Sequence, residues 1–382
     1  MRETNPNSAK TTVLQMVPEA SGGICRHVAM LCEDLANTGW ATGILAPAST
    51  VRRVEEFGLP PTVGRVSLDG GGSGPGAIAR AALALRGSTT QALLIHAHGY
   101  RCAVSAALAG RRPFVVTAHN LIPRPGWLVP GWALRRADAV MVVSEAVATG
   151  VLACGVRPER VALAPNGIDL APLPDSAVRA ASRAAILALC PQADAGQRCD
   201  ELVLGIGRLS PEKGFDVLLH AFELLRRQRP QARLVLLGDG PMREELARQA
   251  IALSGSVQLA GEVKDARSLM AGADMVVIPS LQEGQSRVAL EALSAGVRVV
   301  ASDSGGLPSM IRPGATGWLV PPGDAIALAA AMQAALSTQI DAYAGPGRSL
   351  IEKDFGRARC FGQVIEIYQN VLQRRRLVNS KS

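Results

Sequence analysis

Short apolar runs alternate with helix-length amphipathic segments over most of the chain. Residues 12–17, 41–45, 92–96, 114–117 and 140–143 have the length and mostly apolar character of strands buried on both faces. Each precedes a helical pattern, such as residues 24–37, which Thr38-Gly39 closes. After a change of texture at 171–200, rich in Ala, Pro and Arg, the alternation resumes with runs at 202–206, 233–237, 256–260, 275–279 and 298–301. Helical patterns follow at 325–336 and 358–376. Strand–helix alternation of this kind predicts mostly parallel sheets with helices on both faces. The expected division is an acceptor-side domain over 1–170, a linker region with one helix over 171–200, a second domain over 201–355, and a C-terminal helix over 356–382 that packs back on the first domain. No period of 20–50 residues repeats.

A length of 382 residues suits two such domains. Hydrophobic residues make up 48% and aromatic ones only 3%, so the cores must be built from Ala, Val, Leu and Ile, and the composition excludes disorder and collagen-like repeats. The net charge of +8 favours anionic ligands or surfaces. Dispersed basic residues and scarce aromatic platforms argue against nucleic acid. Of 40 basic residues only five are Lys, which draws attention to Lys213. Seven scattered Cys without a C-x-x-C fit neither a disulfide framework nor a zinc site, and point to a reducing compartment. No secretory pattern and no apolar stretch of ~18 residues is present, so the expectation is a cytoplasmic protein, at most peripheral on the inner face of the cell membrane.

In parallel sheets ligands collect where strands end and helices begin. Three such junctions carry candidate chemistry. Pro18-Glu19-Ala20-Ser21-Gly22-Gly23 joins the first strand to the first helix, and Gly22 and Gly23 would let backbone approach an anion; a plain tight turn is the alternative. The strict G-x-G-x-x-G fingerprint is absent, which disfavours a dinucleotide cofactor. Gly205-Ile206-Gly207-Arg208-Leu209-Ser210-Pro211-Glu212-Lys213-Gly214 leaves the first strand of the second domain, where a guanidinium and an ammonium flanking a Ser-Pro helix start can clamp a diphosphate. Pro279-Ser280-Leu281-Gln282-Glu283-Gly284 runs on to Glu291, placing Glu283 in a loop and Glu291 on the next helix, whose start near Ser286 offers free N–H groups to phosphate. Taken alone, each Glu is as readily structural. Loops at Gly238–Pro241 and Gly261–Val263 occupy equivalent strand ends. Among the five His, His119 follows a central strand and is the functional candidate; His96, His98 and His119 make a poor metal site because no carboxylate or Cys joins them at ligand spacing. No G-x-S-x-G elbow supports a serine hydrolase.

These motifs together resemble the retaining glycosyltransferases of family 4, whose GT-B fold has two Rossmann-like doubly wound parallel-sheet domains facing a cleft. The ordered set Gly207-Arg208, Lys213-Gly214, Gly238-Asp239-Gly240-Pro241, Pro279-Ser280, Glu283-Gly284 and Glu291-Ala292, with Gly305-Gly306 behind, carries the similarity; it extends through Ala164-Pro165-Asn166-Gly167-Ile168-Asp169 and Ala315-Thr316-Gly317-Trp318. The resemblance implies that Arg208 and Lys213 hold the donor diphosphate and that Glu291 takes the ribose hydroxyls. It places Glu283 and Gly284 at the transferred sugar, with Gly207 and Ser286 beside the donor. Gly261 and Val263 would receive the base through backbone groups. Gly22 and Gly23 would approach the phosphates, and His119 would stand near the anomeric centre.

It further implies a metal-independent hexose transfer from a UDP- or GDP-sugar to a lipid-linked or glycan acceptor in cell-surface or exopolysaccharide synthesis, with no cofactor beyond the donor. A non-catalytic sugar-nucleotide-binding protein and a nucleotide-sugar epimerase on the same fold are the alternatives. The chain departs from the family pattern at Gln285-Ser286-Arg287, between the two Glu, and at Cys25. Arg111-Arg112 to Arg135-Arg136, with Trp127 and Trp132, would suit an anionic membrane surface or, equally, internal packing.

Overall fold

The alternating pattern folds into two separate parallel sheets. The computed structural model describes residues 13–20, 22–68, 74–87, 92–110, 113–122, 128–170, 172–190, 199–253, 255–338 and 341–379. The chain divides into one unit of Met1–Gly167 with Arg357–Ser382 and a second of Ile168–Gly356.

In the first unit the described elements are β1 Val13–Met16, α1 Gly23–Asn37, β2 Thr42–Pro47, α2 Ala48–Glu56, β3 Gly64–Leu68, α3 Pro75–Gly87, β4 Leu94–His98, α4 Tyr100–Ala109, β5 Phe114–Ala118, α5 Leu128–Arg136, β6 Ala139–Val142, α6 Glu145–Ala153 and β7 Val161–Leu163. The strands lie in the order β3-β2-β1-β4-β5-β6-β7, all parallel. Side chains alternate across the sheet. Leu14, Met16, Ile95, Ala97, Phe114 and Val116 feed one core with α4, while Val13, Leu94 and Val115 feed the other with Leu31 and Leu35 of α1.

The second unit runs α7 Ser176–Ala188, β8 Leu202–Ile206, α8 Phe215–Arg226, β9 Arg233–Leu237, α9 Arg243–Ile251, β10 Val257–Gly261, α10 Ala266–Met270, β11 Met275–Ile278, α11 Arg287–Ser294, β12 Arg298–Ser302, β13 Trp318–Val320, α12 Ala325–Ser337 and α13 Asp341–Phe355. Its parallel sheet has the order β10-β9-β8-β11-β12-β13. The last helix, α14 Arg357–Asn379, belongs to the first unit. There Phe361, Val364, Tyr368 and Val371 join the core of Val13 and Leu35, and Arg357 bonds the Asp34 carboxylate at 3.0 and 3.1 Å.

Three strands escape the sequence pattern: β3, β7 and β13 are edge strands whose side chains are mostly only half-buried. The one helix expected within 171–200 is α7. Helix α7 puts Ile186 in the second core, and Arg183 bonds Asp274 at 2.7 Å, so the second unit begins at Ile168. Residues 171 and 191–198 of that stretch lie outside the described residues. Among the described residues no helix is long and apolar enough to cross a membrane.

Candidate functional site

In each sheet the strand order reverses between two neighbours, β1 and β4 in the first and β8 and β11 in the second. Loops leaving the carboxyl ends of such a pair diverge to opposite faces and leave room for a ligand. Of the residues singled out from the sequence, Gly22, Gly23 and His119 fall in the first unit and the other nine in the second.

In the second unit the loop after β8 does not enter a helix at Ser210-Pro211 as the sequence suggests. Pro211–Lys213 form one 3₁₀ turn, Gly214 follows in the left-handed conformation, and α8 begins only at Phe215. A Cβ on Gly214 would collide with the Pro279 carbonyl, so the turn presses directly on the end of β11. The Glu212 carbonyl accepts the amides of Leu281 and Gln282 at 2.9 and 3.1 Å, stitching the two loops together. Held in this way, Lys213 Nζ donates to Glu283 Oε2 at 2.7 Å, and Ser280 Oγ donates to the same oxygen at 3.1 Å. Arg208 is exposed. Burial alone would raise the Glu212 carboxyl, but the Ser210 hydroxyl, its own amide and the charges of Lys213 and Arg208 bring it below its ordinary value.

Glu283 sits in the loop and Glu291 in α11, both almost fully buried. They answer to different cations: Arg287 donates to Glu291 Oε1 at 3.4 Å, one helical turn away. Ser286 caps α11 by accepting the Ala289 amide at 3.3 Å, so this donor, which the sequence left open for phosphate, is taken. Gly305, at φ +57°, packs its Cα against the Glu283 carbonyl, where a Cβ would overlap it; the Gly306 amide donates to that carbonyl at 3.3 Å. The remaining strand ends join on. The Gly207 amide bonds the Leu237 carbonyl at 3.0 Å, Leu209 the Asp239 carbonyl at 2.9 Å, and Gly238 the Gly261 carbonyl at 2.7 Å. Val263 packs against the second core, and Gly284 is buried.

In the first unit Gly22, at φ +59°, is the N-cap of α1 and Gly23 its first residue, both exposed; Ser21 lies outside the described residues. His119 follows β5, is 8% exposed, and burial holds its imidazole down at about 4. It does not stand alone. His98 Nδ1 lies 3.1 Å from His119 Nε2, the two rings stack at 15°, and His27 meets both edge-on. The nitrogens of His27, His98 and His119 lie within 4.8 Å of one another. His96 instead bonds Thr117 and Tyr368. Burial, then the charges of neighbouring imidazoles, push His96 and His98 well below the usual histidine range.

The sequence reading missed Ser280, Glu212 and Arg287 as partners, and Gln15 and Tyr368 altogether. His-x-His on a strand signals two rings on one face, but the partner β1 and distant α14 are set only by folding. The thiols of Cys25, Cys32 and Cys102 are buried and pushed up to about 11, 12 and 12, so they are poor nucleophiles. Of the Arg- and Trp-bearing stretch, Arg111, Arg112 and Trp127 lie outside the described residues. Trp132 packs on the first core with the Arg136 guanidinium 4.3 Å over its ring, and Arg135 donates to the Cys154 carbonyl at 2.7 Å.

Two family models match the chain. The family model described as Glycosyltransferase Family 4 matches residues 21–172, and that described as Glycosyl transferases group 1 matches residues 200–338. The chain is 28% identical over 326 residues to an alpha-maltose-1-phosphate synthase of Mycolicibacterium smegmatis, covering 73% of this chain and 79% of that one. It is 29% identical over 339 residues to a phosphatidyl-myo-inositol mannosyltransferase of the same organism, covering 82% and 81%. Among solved structures, Anabaena Alr3699/HepE in complex with UDP and glucose superposes with a TM-score of 0.78 at 23% identity, covering 93% of this chain and 98% of that one.

Proposed function

The chain belongs to the family 4, group 1 glycosyltransferases, and from that premise we propose that it transfers a hexose from a UDP- or GDP-sugar to a lipid-linked or glycan acceptor with retention of anomeric configuration. The observation that carries this reading is the Lys213–Glu283 pair, which joins the loops leaving β8 and β11, with Arg208 exposed in the first of those loops. A departing nucleoside diphosphate accumulates negative charge, and fixed cations stabilise that charge more in the transition state than in the ground state. Lys213 and Arg208 supply them from side chains, so transfer proceeds without a bound metal. The Lys213 ammonium is anchored by Glu283 and therefore needs no reorganisation when the charge appears.

In this reading Glu283 orients sugar hydroxyls rather than attacking C1, because its Oε2 is already occupied by Lys213 and Ser280. The bond from C1 to the β-phosphate oxygen breaks and a bond from C1 to the acceptor oxygen forms on the same face. The acceptor's hydroxyl proton leaves on the departing diphosphate. Glu291 receives the ribose. A phosphate-bearing or lipid acceptor is supported by the two relatives, one a synthase of a sugar phosphate and one a mannosyltransferase onto phosphatidyl-myo-inositol. An acceptor embedded in an anionic membrane would bring the exposed Leu128 and Val129 of α5 against that surface.

Incubation with a panel of nucleotide sugars and a lipid extract tests the proposal. Nucleoside diphosphate release is expected from one donor, with the rate unchanged by EDTA and ~10²–10³-fold lower in Lys213→Met. Absence of release with every donor, while the nucleotide still binds, favours a binding protein instead.

A further inference from the structure

On the face of the first sheet that α1 and α14 cover, the apolar residues Val13, Leu94 and Val115 give way toward the strands' carboxyl ends to Gln15, His96, His98 and Thr117. The register makes this one patch, since Gln15 pairs with His96 and His98 with Thr117. The patch is sealed: Gln15, His96, His98 and Tyr368 are 0% exposed and Thr117 2%. Its hydrogen bonds form a single line. Thr117 Oγ1 lies 2.7 Å from His96 Nε2, and His96 Nδ1 lies 2.5 Å from the Tyr368 hydroxyl. Gln15 Nε2 lies 3.5 Å from the same hydroxyl. Gln15 Oε1 lies 2.9 Å from His98 Nε2, and His98 Nδ1 lies 3.1 Å from His119 Nε2.

Such a line has a direction. A neutral imidazole donates from one nitrogen and accepts at the other, and burial keeps these rings neutral. A carboxamide is polar in a fixed sense, donating only from nitrogen and accepting only at oxygen. Gln15 Oε1 faces His98, so His98 must carry its hydrogen on Nε2 and accept at Nδ1. His119 must then carry its hydrogen on Nε2, spent inward on His98. On the other side Gln15 donates to Tyr368, whose hydroxyl hydrogen goes to His96 Nδ1, leaving His96 Nε2–H for Thr117. Each bond has one donor and one acceptor. Reversing the amide would reverse every member at once.

We propose that Gln15, acting through His98, fixes the tautomer of His119, so that this residue meets its substrate with the hydrogen on Nε2 and the lone pair on Nδ1. His119 then serves as a hydrogen-bond acceptor for a substrate hydroxyl, and Gln15 and His98 are positioning residues. The functional half of this inference rests on the transferase reading; the tautomer itself does not.

The test is a long-range ¹H–¹⁵N spectrum of the full chain labelled at histidine, at pH 7.5, with each ring assigned by single His substitutions. His96, His98 and His119 are expected in the Nε2–H form. In Gln15→Met, His98 Nε2 has no acceptor, so His98 shifts to Nδ1–H, donates to His119 Nε2 and converts His119 to Nδ1–H. Gln15→Glu, whose carboxylate only accepts, keeps both rings in the Nε2–H form. With the identified donor, kcat of Gln15→Met falls ~10-fold, the lower end of losses seen when a partner that orients a metal-ligating imidazole is removed, while nucleoside diphosphate affinity is unchanged. Wild-type His119 protonated on Nδ1 overturns the proposal. So does a Gln15→Met spectrum identical to wild type, or a pair of nitrogens whose metal-shifted signals revert on chelation. The wild-type spectrum needs no substrate, so its failure is distinct from failure of the transferase reading, which nucleoside diphosphate release decides.

Discussion

Lys213 Nζ donates to Glu283 Oε2 across 2.7 Å, although 70 residues separate the two in the chain. The pair exists because β8 and β11 are neighbours in the sheet and their outgoing loops are bonded through the Glu212 carbonyl. Side-chain exposures of 26% and 10% leave the ammonium reachable and the carboxylate largely desolvated.

Replacing Lys213 by Met therefore has two separable effects. Loss of a cation at the leaving group lowers kcat by ~10²–10³-fold, as for other preorganised charge stabilisers. Leaving Glu283 without its partner costs ~1–3 kcal/mol of stability. The double variant Lys213→Met/Glu283→Gln recovers most of that stability and none of the activity. Urea denaturation beside a steady-state assay checks both, and parallel recovery of the two would show that the pair is only structural.

The two glutamates are expected to divide their labour. If, as proposed, Glu291, bonded to Arg287 on α11, receives the ribose, Glu291→Ala raises the calorimetric Kd for the nucleoside diphosphate ~10-fold, about 1.4 kcal/mol. Glu283→Ala changes that Kd little and lowers kcat. Equal losses of nucleotide affinity would refute the division.

Gly305→Ala should damage the site without touching a polar side chain. Its φ of +57° disfavours any Cβ, and the added atom would overlap the Glu283 carbonyl. Strain of ~1–2 kcal/mol from the backbone alone, with displacement of the Glu283 loop on top, is expected. At ~2–4 °C per kcal/mol the melting temperature falls by several degrees or more, and kcat falls with it. An unchanged Tm would mean that the loop after β12 yields easily.

The buried imidazoles make acid the weak side of the first unit. His96 and His98 are held well below the usual range and His119 at about 4, so between pH ~6.5, where an unfolded histidine titrates, and that lower range the unfolded chain binds protons that the folded chain refuses. The contribution of these groups is present above pH ~6.5 and is lost as pH falls. Urea midpoints should drop from pH 7.5 to pH 5, before carboxylates titrate, and the drop should shrink in His98→Gln. A flat profile would contradict the burial.

The amino-acid sequence alone determined the parts of this protein that follow from local periodicity. Mostly apolar runs at 114–117, 202–206 and 233–237 are strands because a central parallel strand is covered on both faces. The same rule hides β3, β7 and β13, whose edge positions leave side chains half in water. Loop placement of Glu283 and helical placement of Glu291 were likewise legible from spacing. The tertiary structure decided what those groups touch. Strand order put Lys213 beside Glu283, and the Ser-Pro step that reads as a helix start became a 3₁₀ turn because Gly214 packs on the Pro279 carbonyl. The line from Tyr368 through Gln15 and His98 to His119 joins β1, β4 and the residue after β5 to a helix more than 200 residues away. No local pattern encodes it, since hydrogen-bond partners of buried polar groups are set by which elements exclude water together, and that is a property of the packed chain.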